Sequence, residues 1–382
     1  MALVLDEQQL LIEGSARDFA RDKSPVTAFR NLRDADVSDG FDRMLWQQMV
    51  ELGWSGVLIP ETYDGLGLDM SAVAIIAREL GRTLTASPLL STAVMGAMLI
   101  DTLGSQAQKQ QLLPSIAAGR HLSTFAHDEG SRHNPDRVEL TANSSDGSYL
   151  LNGEKQFVID GHVADTLLVS ARTSGYRDDG DGLTVFVVSP DSAGVEVERL
   201  TMVDHRNLAR IRLHDVRLAS TDVLGEEQEI GRAYEAIHRI LDGARIVLAA
   251  EMLGGAERLF ETTLEYLKVR EQFGVLIGSF QALKHRMAKM FAEVEMFESV
   301  VMGALEAWQE RSEDLPSLSS LAKARANDVF NDVSSEALQM HGGIGMTDDA
   351  DIGFYLKRSR VTAQLLGDSV FHRDRYARLA GF

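Results

Sequence analysis

Glu265-Tyr266-Leu267-Lys268-Val269-Arg270-Glu271-Gln272-Phe273-Gly274, running on to Phe280-Gln281, and Gln339-Met340-His341-Gly342-Gly343-Ile344-Gly345 are the two stretches that decide the fold of this chain. Each interrupts a long run of helical periodicity. Ile230 to Lys268 precedes the first and Phe280 to Gln309 follows it; Leu318 to Met340 leads into the second and Asp349 to Leu365 leaves it. These runs are rich in Leu, Met and Ala with few breakers, which predicts long helices packed side by side as a four-helix bundle. Taken singly, the breaks have plain readings: Arg270 with Glu271 as a surface ion pair, Gly342-Gly343 as a helix stop.

Working outward, the periodicity falls from 3.6 to 2 over residues 121–226. Tyr149 to Ile159 reads as a hairpin turned at Asn152-Gly153, a pair suited to a type I′ turn. Asp165 to Arg172, Leu183 to Ser189, Gly194 to Leu200 and Ala209 to Leu218 supply further short strands, and the Gly- and Asp-rich gap Thr173 to Gly182 reads as an exposed loop. Several strands with turns between them predict a compact β-domain, a barrel. Residues 1–120 return to helices: Asp6 with Gln9 fits a capping box ahead of Leu10, Leu11, Phe19 and Ala20, and a second helix through Met44, Leu45, Met49 and Leu52 stops at Gly53. The division is therefore 1–120 helical, 121–226 β, 227–382 bundle, an α+β chain without repeats.

The chain has 382 residues, a formal net charge of -19 and no cysteine. That length supports two or three layers with sizeable cores. The acidic balance argues against a duplex nucleic-acid binder, although it leaves room for one local basic pocket. Without cysteine there is no disulfide, thiolate nucleophile or zinc-thiolate site. Met1 to Glu7 lacks the basic start and apolar run of a signal peptide, and no stretch nears the roughly 20 apolar residues of a membrane span. The expected location is cytoplasmic.

The quoted stretches resemble the Arg-x-Gln-Phe-Gly…Phe-Gln and Gln-x-x-Gly-Gly signatures of the acyl-CoA dehydrogenase family. Gly53-Trp54-Ser55-Gly56-Val57-Leu58-Ile59-Pro60-Glu61-Thr62-Tyr63-Asp64-Gly65-Leu66-Gly67-Leu68 is similar to that family's "LGW…PEEYGGLGL" run, with Asp64 where Gly is usual. The resemblance spans nearly the whole chain. It implies an N-terminal all-α domain, a middle β-barrel domain and a C-terminal four-helix bundle assembled as a dimer of dimers, a tetramer. It implies FAD as cofactor, an acyl-CoA substrate, and an electron-transfer flavoprotein as electron acceptor. Arg270 then lies on the pyrophosphate of a neighbouring subunit's FAD, a role its fixed, always charged fork suits. Gln272, Phe273 and Gln281 take the adenosine- and phosphate-facing positions. Gln339, Gly342 and Gly343 form a turn whose missing side chains let backbone approach the cofactor.

The middle segment departs from the family. The "TEP…GSD" loop reads Thr124-Phe125-Ala126-His127-Asp128-Glu129-Gly130-Ser131-Arg132-His133, so Ser131 remains as a phosphate contact. The Trp-Ile-Thr that covers the flavin reads Phe157-Val158-Ile159, which keeps an aromatic and loses the hydroxyl to N5. The family's reaction removes the proton next to the thioester with a glutamate while a β-hydride goes to flavin N5. Of the two places for that glutamate, one is occupied here by Gly367, in Leu365-Leu366-Gly367-Asp368-Ser369, and the other by Ala244, in Leu241-Asp242-Gly243-Ala244-Arg245.

Asp368 is the replacement base that this alignment offers, with Ser369 as a flavin contact; an N-cap is the plainer role for Asp368. Glu251 and Asp242 are further carboxylates with structural readings, and His127 and His372 are histidines that would titrate near neutrality. The small residues Gly367, Gly243 and Ala244 hint at room for a bulky acyl group. An intact neighbour-facing half beside an altered own half is similar to the smaller subunits of heteromeric bacterial acyl-CoA dehydrogenases. Three readings follow: an acyl-CoA dehydrogenase using Asp368, a non-catalytic or half-catalytic partner subunit, and a flavin oxidase or oxygenase.

Overall fold

The computed structural model describes residues 5–145, 147–226 and 229–382. Met1 to Val4, on which the reading of the N-terminus partly rests, lie outside them. The chain forms two compact units: one from the chain up to Asp34, Met70–Thr85 and Arg245–Phe382, the other from Ala35–Asp69 and Ala86–Ala244.

In the first unit, α1 (Glu7–Lys23) opens on the expected capping box, with Asp6 accepting from the Gln9 amide and Gln9 returning the bond. It buries Ala16, Phe19 and Ala20, whereas Leu10 and Leu11 are 52% and 75% exposed. Helices α2 (Val26–Asp34) and α4 (Met70–Arg82) accompany it. Arg78 and Arg82 of α4 hold Glu257 and Glu261, pairs that tie this helix to the bundle. The bundle consists of α7 (Tyr234–Val269, of which residues from 245 onward belong here), α8 (Gln281–Gln309), α9 (Leu315–His341), and a fourth member broken into α10 (Ile352–Thr362) and α11 (Ser369–Leu379). The sequence pattern found all of these within a few residues except α11, whose polar, charged composition hides it.

In the second unit α3 (Arg43–Glu51) ends as read, with Gly53 at φ +79 just past its cap. A π-helical stretch Leu89–Gly96 leads into α5 (Ala97–Leu103) and α6 (Gln106–Ala117). The seven-stranded sheet contains β1 (Ser123–Ala126), β2 (Thr141–Ser145), β3 (Ser148–Ile159), β4 (Thr166–Arg172), β5 (Leu183–Val188), β6 (Val195–Thr201) and β7 (Asn207–Ala219). Its order is β1-β4-β2-β3-β7-β6, with β5 added on β4. The sheet is curled, a half-barrel around a core of Leu140, Leu151, Val169, Phe186, Ile211 and Val216.

The hairpin expected at Asn152-Gly153 is absent. Ser148–Ile159 is one strand of 12 residues, paired with β7 from Ser148↔Ala219 to Ile159↔Leu208. The Asn-Gly pair instead makes a bulge: the register shifts between Leu151 and Gly153, Gly153 takes φ +147, and Asn152 exchanges hydrogen bonds with Asp215. Turns and bulges both want a residue free at positive φ, so the local pair does not distinguish them; continued pairing with β7 does.

Candidate functional site

The first quoted stretch is the exit of α7. Its last turn holds the Arg270 amide on the Tyr266 carbonyl, and Glu271–Gln272 (β8) then pairs with Val275–Leu276 (β9). A two-residue turn joins them, with Phe273 at φ +57 and Gly274 at φ +78, the left-handed pair of a type I′ turn. A phenylalanine at positive φ is strained, and such strain concentrates at functional positions. Phe273 is also 91% exposed, and an edge-on contact with the Phe280 ring at 6.2 Å is all the aromatic packing it has among the described residues, so packing within the chain compensates it little. The Arg270 guanidinium is exposed and takes no hydrogen bond or ion pair among the described residues. Gln281 opens α8 beside it, where Phe280 supplies no side-chain cap for the first free N–H groups.

The second stretch is the exit of α9. Gly342 takes φ 64 and ψ -139, a conformation that only glycine adopts readily. A Cβ at Gly342 or Gly343 would meet nothing within 4 Å, so the chain's own packing gives Gly343 no reason to be glycine. Gln339 is exposed beside them. The two exits are held together: the Tyr266 ring stacks on the His341 ring at 4.3 Å, and its hydroxyl donates to the His341 carbonyl at 3.4 Å. The fold thus joins the two motif segments at Tyr266 and His341, 75 residues apart in the chain, and Arg270, Phe273, Gly342 and Gly343 are exposed on either side of that contact. An open guanidinium, an exposed ring and bare backbone fit a phosphate-bearing, ring-bearing ligand such as FAD.

The run around Asp368 is built differently. Leu366 and Gly367 have φ +58 and +113 in succession, and Asp368 is the N-cap of α11, accepting from the Phe371 amide at 2.8 Å. Ser369 donates to Asp328 Oδ1 at 2.8 Å. The turn's carbonyls point inward, that of Leu366 to Arg245 Nε (3.2 Å) and His372 Nε2 (3.0 Å), that of Gly367 to Lys323 Nζ (3.2 Å) and Asn327 Nδ2 (3.2 Å). Gly367 offers no extra room for a ligand, contrary to the hint in its size: a Cβ there would lie 2.6 Å from both His372 Nε2 and Phe371 Cδ1. Glu251 is paired with Arg358 at 2.8 Å.

In the second unit, Phe157 sits on the second bulge of β3, at φ +52 and 38% exposed. The Gln156 amide donates to the Asp128 carbonyl at 2.7 Å, which sets this bulge against the loop that carries exposed Ser131. Beneath them Lys155 is fully buried and donates to Glu129 (2.7 Å), Ser170 (3.0 Å) and the His127 carbonyl (3.0 Å). Burial pushes the Lys155 pKa down and Glu129 works against it. His127 is no neutral-range titrant: burial first and Lys155 second lower its pKa to about 3, and its ring bonds to Ser170 and the Pro135 carbonyl. Asp242 and Ala244 are buried. Sequence reasoning missed Lys155 and Lys323; the one visible signal was a lysine standing inside a run of small and apolar helix residues, Leu318 to Ala324.

Three family models match the chain in order: the acyl-CoA dehydrogenase N-terminal domain over residues 6–120, the middle domain over 126–216 and the C-terminal domain over 233–380. The chain therefore belongs to the acyl-CoA dehydrogenase family of flavoprotein oxidoreductases. Acyl-CoA dehydrogenase IpdE2 of Mycobacterium tuberculosis is 32% identical, over 94% of this chain and 93% of that protein. The probable acyl-CoA dehydrogenase YngJ of Bacillus subtilis is 28% identical, over 94% of each. Among solved structures, a variant of the steroid ACAD Tcur3481–Tcur3483 superposes with TM-score 0.87 at 29% identity over 98% of both chains. Butyryl-CoA dehydrogenase of Megasphaera elsdenii does so with TM-score 0.89 at 25% identity over all of both.

Proposed function

We propose that this chain is a subunit of an FAD-dependent acyl-CoA dehydrogenase that completes the flavin site of a neighbouring subunit, while the base for α-proton abstraction comes from a partner chain. One contrast carries this reading: Arg270, Phe273 and the Gly342-Gly343 backbone are open, whereas Asp368 is engaged as a helix cap and position 367 has no room for a carboxylate. The Tcur3481–Tcur3483 enzyme, named as a pair of chains, supports a heteromeric assembly.

FAD supplies the hydride acceptor for an acyl-CoA thioester, and an electron-transfer flavoprotein is its expected oxidant. The chain's own part is to hold charge and shape: Arg270 neutralises the pyrophosphate, and Gln272, Phe273, Gln281 and Gln339 seat the adenosine end. Ser131 and Phe157 would serve a second flavin. A competing reading has the chain abstract the proton through Asp368, and one observation favours it: the second oxygen of that carboxylate takes no hydrogen bond among the described residues.

Anaerobic mixing with a panel of acyl-CoA thioesters decides between them. The chain purified alone is expected to hold little flavin and to leave it yellow; with its partner it is expected to bleach and give enoyl product. Full FAD content and bleaching by the chain alone would sink the proposal, and reoxidation by oxygen faster than by an electron-transfer flavoprotein would favour an oxidase.

A further inference from the structure

Lys323 is fully buried on α9, and its three N–H donors are all used: on Asn327 Oδ1 (2.5 Å), the Thr362 carbonyl (2.8 Å) and the Gly367 carbonyl (3.2 Å). It thereby joins the end of α10 to the turn before α11. Asn327, one helical turn along, gives the Gly367 carbonyl its second donor at 3.2 Å. Two consecutive carbonyls of the turn, those of Leu366 and Gly367, thus receive four donors from below. Such a concentration explains how a leucine and the residue after it both stay at positive φ. The atoms that a Cβ at 367 would strike belong to ring side chains, and one of them, His372, is itself fully buried and pinned to Leu366.

We propose that Lys323 is a positioning residue that holds the Leu366–Asp368 turn at positive φ with position 367 against the Phe371 and His372 rings, so that the missing base is a property of the whole turn and not of one substituted residue. This rests on the reading of the chain as a base-free subunit and deepens it. A glutamate placed at 367 would meet both the φ of +113 and the two rings, and the Phe371 and His372 side chains would have to shift to admit it.

The test uses the FAD-loaded oligomer. Lys323→Met is expected to raise amide exchange over residues 363–372 about a hundredfold relative to the β3–β7 amides, through local opening of the turn. Unchanged exchange there would overturn the role of Lys323. Should that variant not assemble, Asn327→Ala removes one of the two donors on the Gly367 carbonyl and carries the same measurement, with about tenfold faster exchange expected and unchanged exchange again fatal. Gly367→Glu is expected to leave flavin reduction by acyl-CoA no faster than in the parent; a gain of tenfold or more would show a turn open to a base. These outcomes are separate from the partner-subunit reading, which fails instead if the unmodified chain by itself bleaches its flavin and Asp368→Asn stops it.

Discussion

The exits of α7 and α9 and the turn ahead of α11 both hold residues at positive φ, yet one is open and the other is closed. At Phe273 and Gly342 the strain faces outward, next to an unpaired guanidinium and bare backbone. At Leu366 and Gly367 it is absorbed by donors from Lys323, Asn327, Arg245 and His372. Strain that the chain does not repay internally points to a ligand or partner that does; strain repaid by buried donors points to fixed architecture.

Glycine substitutions give the widest separation. Gly367→Ala combines a positive φ with overlap at 2.6 Å, so we expect a loss of about 3 kcal/mol or more in chemical denaturation. Gly343→Ala meets open space, and its cost to folding should stay below about 0.5 kcal/mol while flavin retention falls. Equal destabilisation by the two would erase the contrast.

Next in size, Arg270→Gln should weaken FAD retention in the assembled protein about 10- to 100-fold, the 1.5–3 kcal/mol of a hydrogen bond to a charged group, without moving the denaturation midpoint. Ultrafiltration followed by the visible flavin spectrum measures it, and unchanged retention would leave the open patch without its ligand.

The closed style of construction also has a pH signature. His127 is neutral in the fold, with its pKa lowered to about 3, while in the unfolded chain it titrates near the ordinary 6.5. Below that ordinary value the unfolded state takes up a proton that the folded state refuses, so stability is lost as pH falls from 6.5 towards 3. The slope is about 1.4 kcal/mol per pH unit for one proton. His127→Gln, which keeps hydrogen-bonding groups, should flatten the curve by that one proton; an unaltered curve would mean the ring is accessible to acid. The smallest effect is expected of Asp368→Asn. Asparagine caps a helix as well as aspartate, so stability should move by less than about 0.5 kcal/mol and flavin reduction in the full assembly by less than twofold. A loss of two orders of magnitude would make Asp368 the base after all.

Much of this is legible in the amino-acid sequence. Long apolar periodicities gave the bundle helices, alternation gave four of the strands, and Asp6 with Gln9 gave the first cap, because these signals lie within one or two turns of chain. Asn152-Gly153 misled because the same backbone freedom serves a bulge, and only β7 running alongside decides between them. The exposure of Leu10 and Leu11 was not legible, because helical spacing says which residues share a face but not whether that face is covered. The roles of Lys155, Lys323 and His127 were hidden for a related reason: a buried charge is satisfied by carbonyls and hydroxyls far along the chain, which no local pattern records.

The sequence by itself determined the family, the order of helices, sheet and bundle, and the residue types at the two motif segments, since motif and periodicity are local properties. Tertiary structure alone decided that Tyr266 and His341 bring the two motif segments together, and that position 367 is shut by the rings of Phe371 and His372. Those outcomes depend on which distant groups meet and on the hydrogen bonds they must satisfy once water has gone.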